Sequence, residues 1–199
     1  MNTYEYLFFS YLILAVLTVL PTTLSICKGV PLNPGGASFN DCVHFSEKGK
    51  KQLTDHYTRL MGTLGFWKKR AEVYTTFHYY CVIWTILASW SVPIIACIGA
   101  QAKETNFFSQ ALIVLVSGHV ALVLSLHKGL KIADGMKAFR HGESEFYDLY
   151  RRLLDRPIAF GNDENNQIDK YFSEVEKIRR LVRNSETDSL PTLDDIKIK

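Results

Sequence analysis

The sequence predicts an all-α membrane protein. Its plan is a transmembrane helical hairpin, with a further transmembrane helix before it and a cytoplasmic helical hairpin or coiled-coil stalk after it. Three observations predict this. Residues 76–100 and 107–126 are long apolar runs without Asp, Glu, Lys or Arg, joined only by Gln101 to Asn106. A bilayer core ~30 Å thick takes ~20 apolar residues to cross as a helix, and a helix satisfies its own backbone polar groups where water is absent. Leu7 to Cys27 is a third apolar run, whereas residues 128–199 are rich in charge.

The first element is the segment 1–27. A secretory signal peptide has a basic n-region and a small-residue cleavage site. Met1 to Tyr6 has no Lys or Arg and carries Glu5, and the apolar run is long. A retained membrane anchor is the reading preferred over a cleaved leader. Residues 28–75 form the next division. Pro31, Pro34, Gly35 and Gly36 mark a loop. Ser46 is placed to cap a helix to about Met61, whose Leu53, Tyr57, Leu60 and Met61 fall at helical spacing. Gly62 and Gly65 suggest a break. Trp67, Lys68, Lys69 and Arg70 then form an aromatic-basic cluster, a candidate membrane-interface anchor with its ring among headgroups and its cations on the cytoplasmic side.

The hairpin occupies 76–127. Pro93 lacks a backbone donor and bends a helix, and it stands here either as a packing bend or as a hinge. The second arm carries Ser117, Ala121, Ser125 and Gly129, with Ala133 beyond, at four-residue steps. In lipid, helices associate by close van der Waals approach, which small residues permit. The ridge serves packing within one subunit or between copies, and the sequence leaves both open. His119 is an ionisable residue inside a span and so a candidate pore-lining or proton-linked group. Among Cys27, Cys42, Cys81 and Cys97 no pair has zinc or redox spacing.

Residues 128–199 complete the chain. Without a proline between Pro93 and Pro157, the second arm is expected to run on as one helix from about Phe107 to Leu154, kinked at most at a glycine. Ile132, Met136, Phe139, Phe146, Tyr150 and Leu153 give it an apolar stripe, interrupted by Glu143. Arg156 and Pro157 end it. A last helix is expected from about Asn165 to Arg183, with Ile168, Tyr171, Phe172, Val175, Ile178 and Val182 on one face and Glu174–Arg179 and Glu176–Arg180 pairs in support. The tail after Asn184 is expected to be extended.

Orientation follows from Lys and Arg in the short flanks. Seven precede the hairpin from Lys48 to Arg70, and Lys128, Lys131, Lys137 and Arg140 follow it, against only Lys103 in the connection. Both outer flanks are therefore cytoplasmic, the C-terminus is cytoplasmic, and the protein is a multi-pass protein of the inner or plasma membrane. A net charge of +3 gives no reason to expect direct nucleic-acid binding. No glycine-rich phosphate loop or His-Glu-x-x-His metal motif is present, so no catalytic residue, metal or cofactor is assigned and the chain is not read as an enzyme. Glu143, Glu145 and Asp148 near Arg140 and His141 read as a solvated helix face. Arg70 and His78 are spaced too far apart for the Arg–His motif of HEPN ribonucleases.

The aromatic-basic segment Phe66 to Ala71, two spans with a short connection, a helix continuing from the second, and a final helix carrying Val175 to Arg180 together resemble the SLATT family of two-transmembrane bacterial defence effectors. The resemblance covers about 60–195 and is architectural. Small membrane accessory proteins of CRISPR systems have a similar layout. The N-terminal span departs from the two-span plan. The resemblance implies a homo-oligomer in membrane lipid that opens a pore and depolarises the cell when a cytoplasmic nucleotide-sensing or CRISPR partner triggers it. A non-conducting anchor or adaptor presenting a cytoplasmic coiled coil is the alternative, and a membrane-bound nuclease is the third reading.

Overall fold

A computed structural model describes residues 3–32, 38–101 and 107–189. Five helices account for most of them: α1 (Thr3–Cys27), α2 (Glu47–Gln101), α3 (Phe107–Gly129), α4 (Ile132–Asp155) and α5 (Glu164–Ser189). Short 3-10 turns at Phe39–Asp41 and Pro157–Phe160 complete the set, and there is no strand among the described residues. Three of the helices, α1, α2 and α3, are long and apolar enough to cross a membrane. The expected Pro34-Gly35-Gly36 loop centre, the connection carrying Lys103 and the tail beyond Ser189 lie outside the described residues; residues 185–189, expected to be extended, instead continue α5.

The chain forms two compact units, one from residues 1–28 and 73–133, the other from 29–72 and 134–190. This division differs from the predicted one, because the stretch 29–72 shares a unit with α4 and α5. Two helix boundaries also differ. The break expected at Gly62 and Gly65 does not occur: α2 runs unbroken for 55 residues, through both glycines and Pro93. The continuity expected from Phe107 to Leu154 is interrupted instead. Lys131 stands at φ 45°, in the left-handed region, which ends a helix because the chain there can no longer continue right-handed hydrogen bonding. The Leu130 amide still donates to the Leu126 carbonyl (2.9 Å), and the Lys131 amide closes the end on Lys128 (3.0 Å). Ala133 therefore sits on α4, apart from the other four ridge residues on α3.

In the first unit, two apolar clusters hold α1 and α3 to the second half of α2. Tyr80, Cys81, Trp84 and Val123 pack with Tyr11, Ala15 and Val19 of α1. Ala88, Leu112 and Val116 pack with Phe8 and Tyr11. Most of the apolar surface of α1 nevertheless stays exposed, including Leu7, Phe9, Ile13, Val16 and Leu17.

The second unit is a three-helix bundle rather than the expected two-helix stalk. Ring contacts set its directions. Tyr57 stacks on Phe146, and Phe66 meets Phe139, so α2 and α4 are antiparallel. His56 lies against Phe172, and Gly49 adjoins Glu164 and Ile168, so α2 and α5 are parallel. The core is the stripe anticipated on α4 and α5, with Phe139, Phe146, Tyr150, Leu153, Ile168, Tyr171, Val175 and Val182 all buried, joined by Leu53, Leu60 and Leu64 of α2. Phe39 and Phe45 from the preceding loop are buried as well. Gly142 makes the closest approach: a Cβ there would stand 2.3 Å from Val182 Cγ2 and 3.4 Å from the Trp67 ring.

Ser46 caps α2 as expected, its Oγ accepting from the Gly49 amide at 3.2 Å. It also clasps the start of α5. The Ser46 amide and hydroxyl both donate to the Glu164 carboxylate (3.1 and 2.5 Å), which holds that carboxyl below its usual range. Gln167, 2% exposed, donates to the Gly161 carbonyl and accepts from His44 Nε2, both at 2.9 Å. Of the ion pairs expected along α5, Glu176–Arg180 forms, whereas Glu174 pairs with Lys177.

Candidate functional site

The polar residues of an apolar helix cluster carry the information about its use, because each must find a partner or cost free energy. In the first unit they converge on His119. The Tyr11 hydroxyl of α1 lies 2.6 Å from His119 Nδ1, and the Tyr80 hydroxyl of α2 lies 2.8 Å from Nε2. A neutral imidazole has one donor and one acceptor nitrogen, so one tyrosine donates to the ring and the other accepts from it. The Trp84 indole edges onto His119 with centroids 5.0 Å apart and donates from Nε1 to Thr18 Oγ1 at 3.0 Å. Thr18 in turn donates to the Leu14 carbonyl at 2.8 Å. One histidine thus ties together α1, α2 and α3. Its two ring nitrogens are both occupied by partners from within the unit.

The ridge points the other way. Successive helix residues turn by about 100°, so His119 lies on the far side of α3 from Ser117 and Ala121. The buried face of α3 is Ser109, Leu112, Val116 and Val123. Ser117, Ala121, Ser125 and Gly129 are exposed, and a Cβ added at Gly118 or Gly129 would meet nothing within 4 Å. Ser125 satisfies its hydroxyl on the Ala121 carbonyl (2.8 Å), leaving a smooth surface. Packing inside the described chain does not use this face. Pro93, exposed on α2, continues the helix without ending it.

The aromatic-basic cluster separates. Trp67, expected in a headgroup layer, is 5% exposed and belongs to the core of the second unit, facing Gly142. The reason is the unbroken α2, whose helical period carries Leu53, Leu60, Leu64, Trp67 and Ala71 onto one buried face. Lys68 is half-buried, its Nζ donating to the Pro31 carbonyl at 2.8 Å and lying 3.9 Å from Glu143. Lys69 and Arg70 remain exposed, with the Arg70 guanidinium 5.2 Å from the centre of the Phe66 ring.

Other arrangements join residues far apart in the chain. His78 Nδ1 and His127 Nε2 are 2.8 Å apart, so one ring donates to the other. The signal was available: a hairpin folding symmetrically about residues 101–106 sets these positions opposite each other. The Tyr11–His119 bond had no such signal, because nothing local fixes the register of α1. In the second unit, His56 Nδ1, Tyr147 Oη and Tyr171 Oη are buried without a hydrogen-bond partner. Burial, with the Arg59 and Arg179 cations, lowers the His56 pKa to about 4.

Among the described residues no group of three or more His, Cys, Asp or Glu is placed to hold a metal ion, and all four cysteines are free. No family model matches this chain, and neither a curated protein nor a solved structure shows a significant match to it.

Proposed function

We propose that this protein is a membrane effector that works as a homo-oligomer, its copies meeting through the small-residue face of α3, and that the assembled form permeabilises the bilayer. The observation that carries the reading is the division of labour on α3. One face is spent on α1 and α2 through His119, Leu112, Val116 and Val123, and the opposite face, Ser117, Ala121, Ser125 and Gly129, is small, smooth and uncovered. Such a face binds another helix in lipid by close approach. The membrane itself is supported by exposed apolar side chains all along the first unit, from Ile13 and Val16 to Ile86, Trp90, Ile94, Val114 and Leu122. A patch of that extent marks a buried interface or a lipid environment. Lys and Arg on the outer flanks of the hairpin favour the inside orientation for the second unit.

Three helices in one chain enclose no aqueous path, so conduction requires several copies. The resemblance to SLATT effectors supports a role in bacterial antiphage defence, with a nucleotide-sensing or CRISPR component as the trigger acting on the α2–α4–α5 bundle. His119 in this reading is a lock for the subunit, not a lining group.

The test is reconstitution in liposomes and mass measurement in nanodiscs. The wild-type chain should assemble above a monomer and release trapped dye. Ser125→Leu should reduce both, because a branched side chain holds the backbones apart. A monomer at all lipid ratios, or leakage unchanged in Ser125→Leu, would sink the proposal. One observation favours the adaptor reading: α2 belongs to both units as a single helix, which suits presentation of the bundle to a partner. Stable oligomers that never leak would select it.

A further inference from the structure

His78 and His127 face each other at the open end of the α2–α3 hairpin, within the first unit. Their ring centroids are 5.1 Å apart, with His78 Nδ1 2.8 Å from His127 Nε2. That is the one hydrogen bond either ring makes among the described residues, and no carboxylate pairs with either of them. The outer nitrogens, His78 Nε2 and His127 Nδ1, have no partner there, and solvent reaches both. One turn further into the hairpin, Tyr80, Cys81, Trp84 and Val123 are buried together. The pair therefore bounds this packed cluster without belonging to it.

The surroundings leave the proton count to the two rings. On α3, Lys128 adds to the positive field at His127, and Lys131 follows at the helix end. On α2, the Tyr79 ring lies 5.9 Å from His78, and Glu72 and Tyr74 precede it. α1 packs on this half of the hairpin through Val19. It carries no charged residue between Glu5 and Lys28, and Cys27 is the one titratable group of its second half. A neutral imidazole has one donor and one acceptor, whereas an imidazolium has two donors. The contact therefore survives one added proton, as a charge-assisted bond, and is lost with two.

We propose that His78 and His127 form a proton-operated latch, which holds the ends of α2 and α3 together until both rings are protonated. The latch belongs to a single subunit and stands whether or not assembled copies conduct. The closed pair holds at most one added proton and the parted pair two, so opening takes up one proton from solvent. Free imidazoles fill below a pH of about 6.5. Beneath that value each pH unit favours opening by about tenfold. Acid thus frees the last turn of the hairpin while the Tyr80–Val123 packing beneath it holds.

Amide hydrogen exchange of the full-length protein in detergent, with a metal chelator present, reads the latch. His127→Gln and His78→Gln supply the references. Glutamine both donates and accepts and does not titrate, so each variant can keep a bond to the remaining ring at every pH. Dividing wild-type rates by variant rates at the same pH removes the intrinsic pH dependence of exchange. For segments 74–82 and 123–130 the ratio should be level between about pH 8 and 7 and rise about tenfold from about pH 6 to 5. The rise should appear against either variant, while segment 8–16 of α1 stays level. A ratio unchanged down to about pH 5 overturns the latch. A rise against only one variant overturns it too, because a single ring would then account for the titration. So does a rise that extends to 8–16, which would mark loss of the whole helix cluster.

Discussion

Gly142→Ala tests the closest helix approach in the bundle. The added Cβ would stand 2.3 Å from Val182 Cγ2, a side chain 2% exposed, with the Trp67 ring at 3.4 Å on another side. Valine is branched at Cβ and stiff in a helix, so the methyl cannot swing away cheaply, and the helices must part by an ångström or so. Overpacking of this kind costs ~1–3 kcal/mol. Against it stands the helical preference of Ala over Gly, ~1 kcal/mol. The net expectation is neutral to ~2 kcal/mol destabilising, which at this chain length lowers Tm by up to ~4–8 °C. Gly62→Ala supplies the control, since a Cβ there meets nothing within 4 Å; it should stabilise by ~1 kcal/mol. Near-UV circular dichroism of the full chain in detergent reads all variants. The double variant Gly142→Ala, Val182→Ala should lose less than the two single changes together, because the clash disappears with the methyl. If Gly142→Ala stabilises as much as Gly62→Ala, the close packing of α4 on α5 is refuted.

Further expectations follow from the other partnerships. Tyr171→Phe removes a buried hydroxyl without a partner, so stability should rise by ~1–3 kcal/mol; a fall in the same thermal assay would mean that the hydroxyl is satisfied. His56 has its pKa lowered to about 4 in the folded chain, against ~6.5 when unfolded. The unfolded chain therefore binds more protons between these values, and stability falls as pH drops from about 6.5 to about 4. His56→Phe should flatten that slope by up to one proton in pH-dependent denaturation, and an unaltered slope would count against it. His119→Phe leaves the Tyr11 and Tyr80 hydroxyls without their shared acceptor and donor, and should loosen α1 more than Tyr80→Phe alone. Limited proteolysis of α1 in detergent measures this, with equal digestion as the contrary result.

The helices were legible in the sequence because their signals are local. The apolar runs of α1, α2 and α3, the Ser46 cap, the stop at Arg156 and Pro157, and the stripe Phe139–Phe146–Tyr150–Leu153 all follow from neighbouring residues and period. Boundaries inside long helices were less so. Gly62 and Gly65 looked like breakers, yet each costs only ~1 kcal/mol in a helix, and burial of Leu60, Leu64 and Trp67 on the same face outweighs it. The real break, at Lys131, has no proline, and its nearest glycine is two residues earlier.

What the sequence by itself determined is the set of elements and their apolar faces, since length, hydropathy and spacing are properties of single segments. The small-residue ridge from Ser117 to Gly129 is of this kind. Only the tertiary structure decided which faces are spent. It turned that ridge outward and His119 inward to Tyr11 and Tyr80, and withdrew Trp67 into a three-helix core. The reason is that a side chain's partner depends on the register between helices far apart in the chain. That register is set by the joint packing of all of them, to which no single segment holds the key.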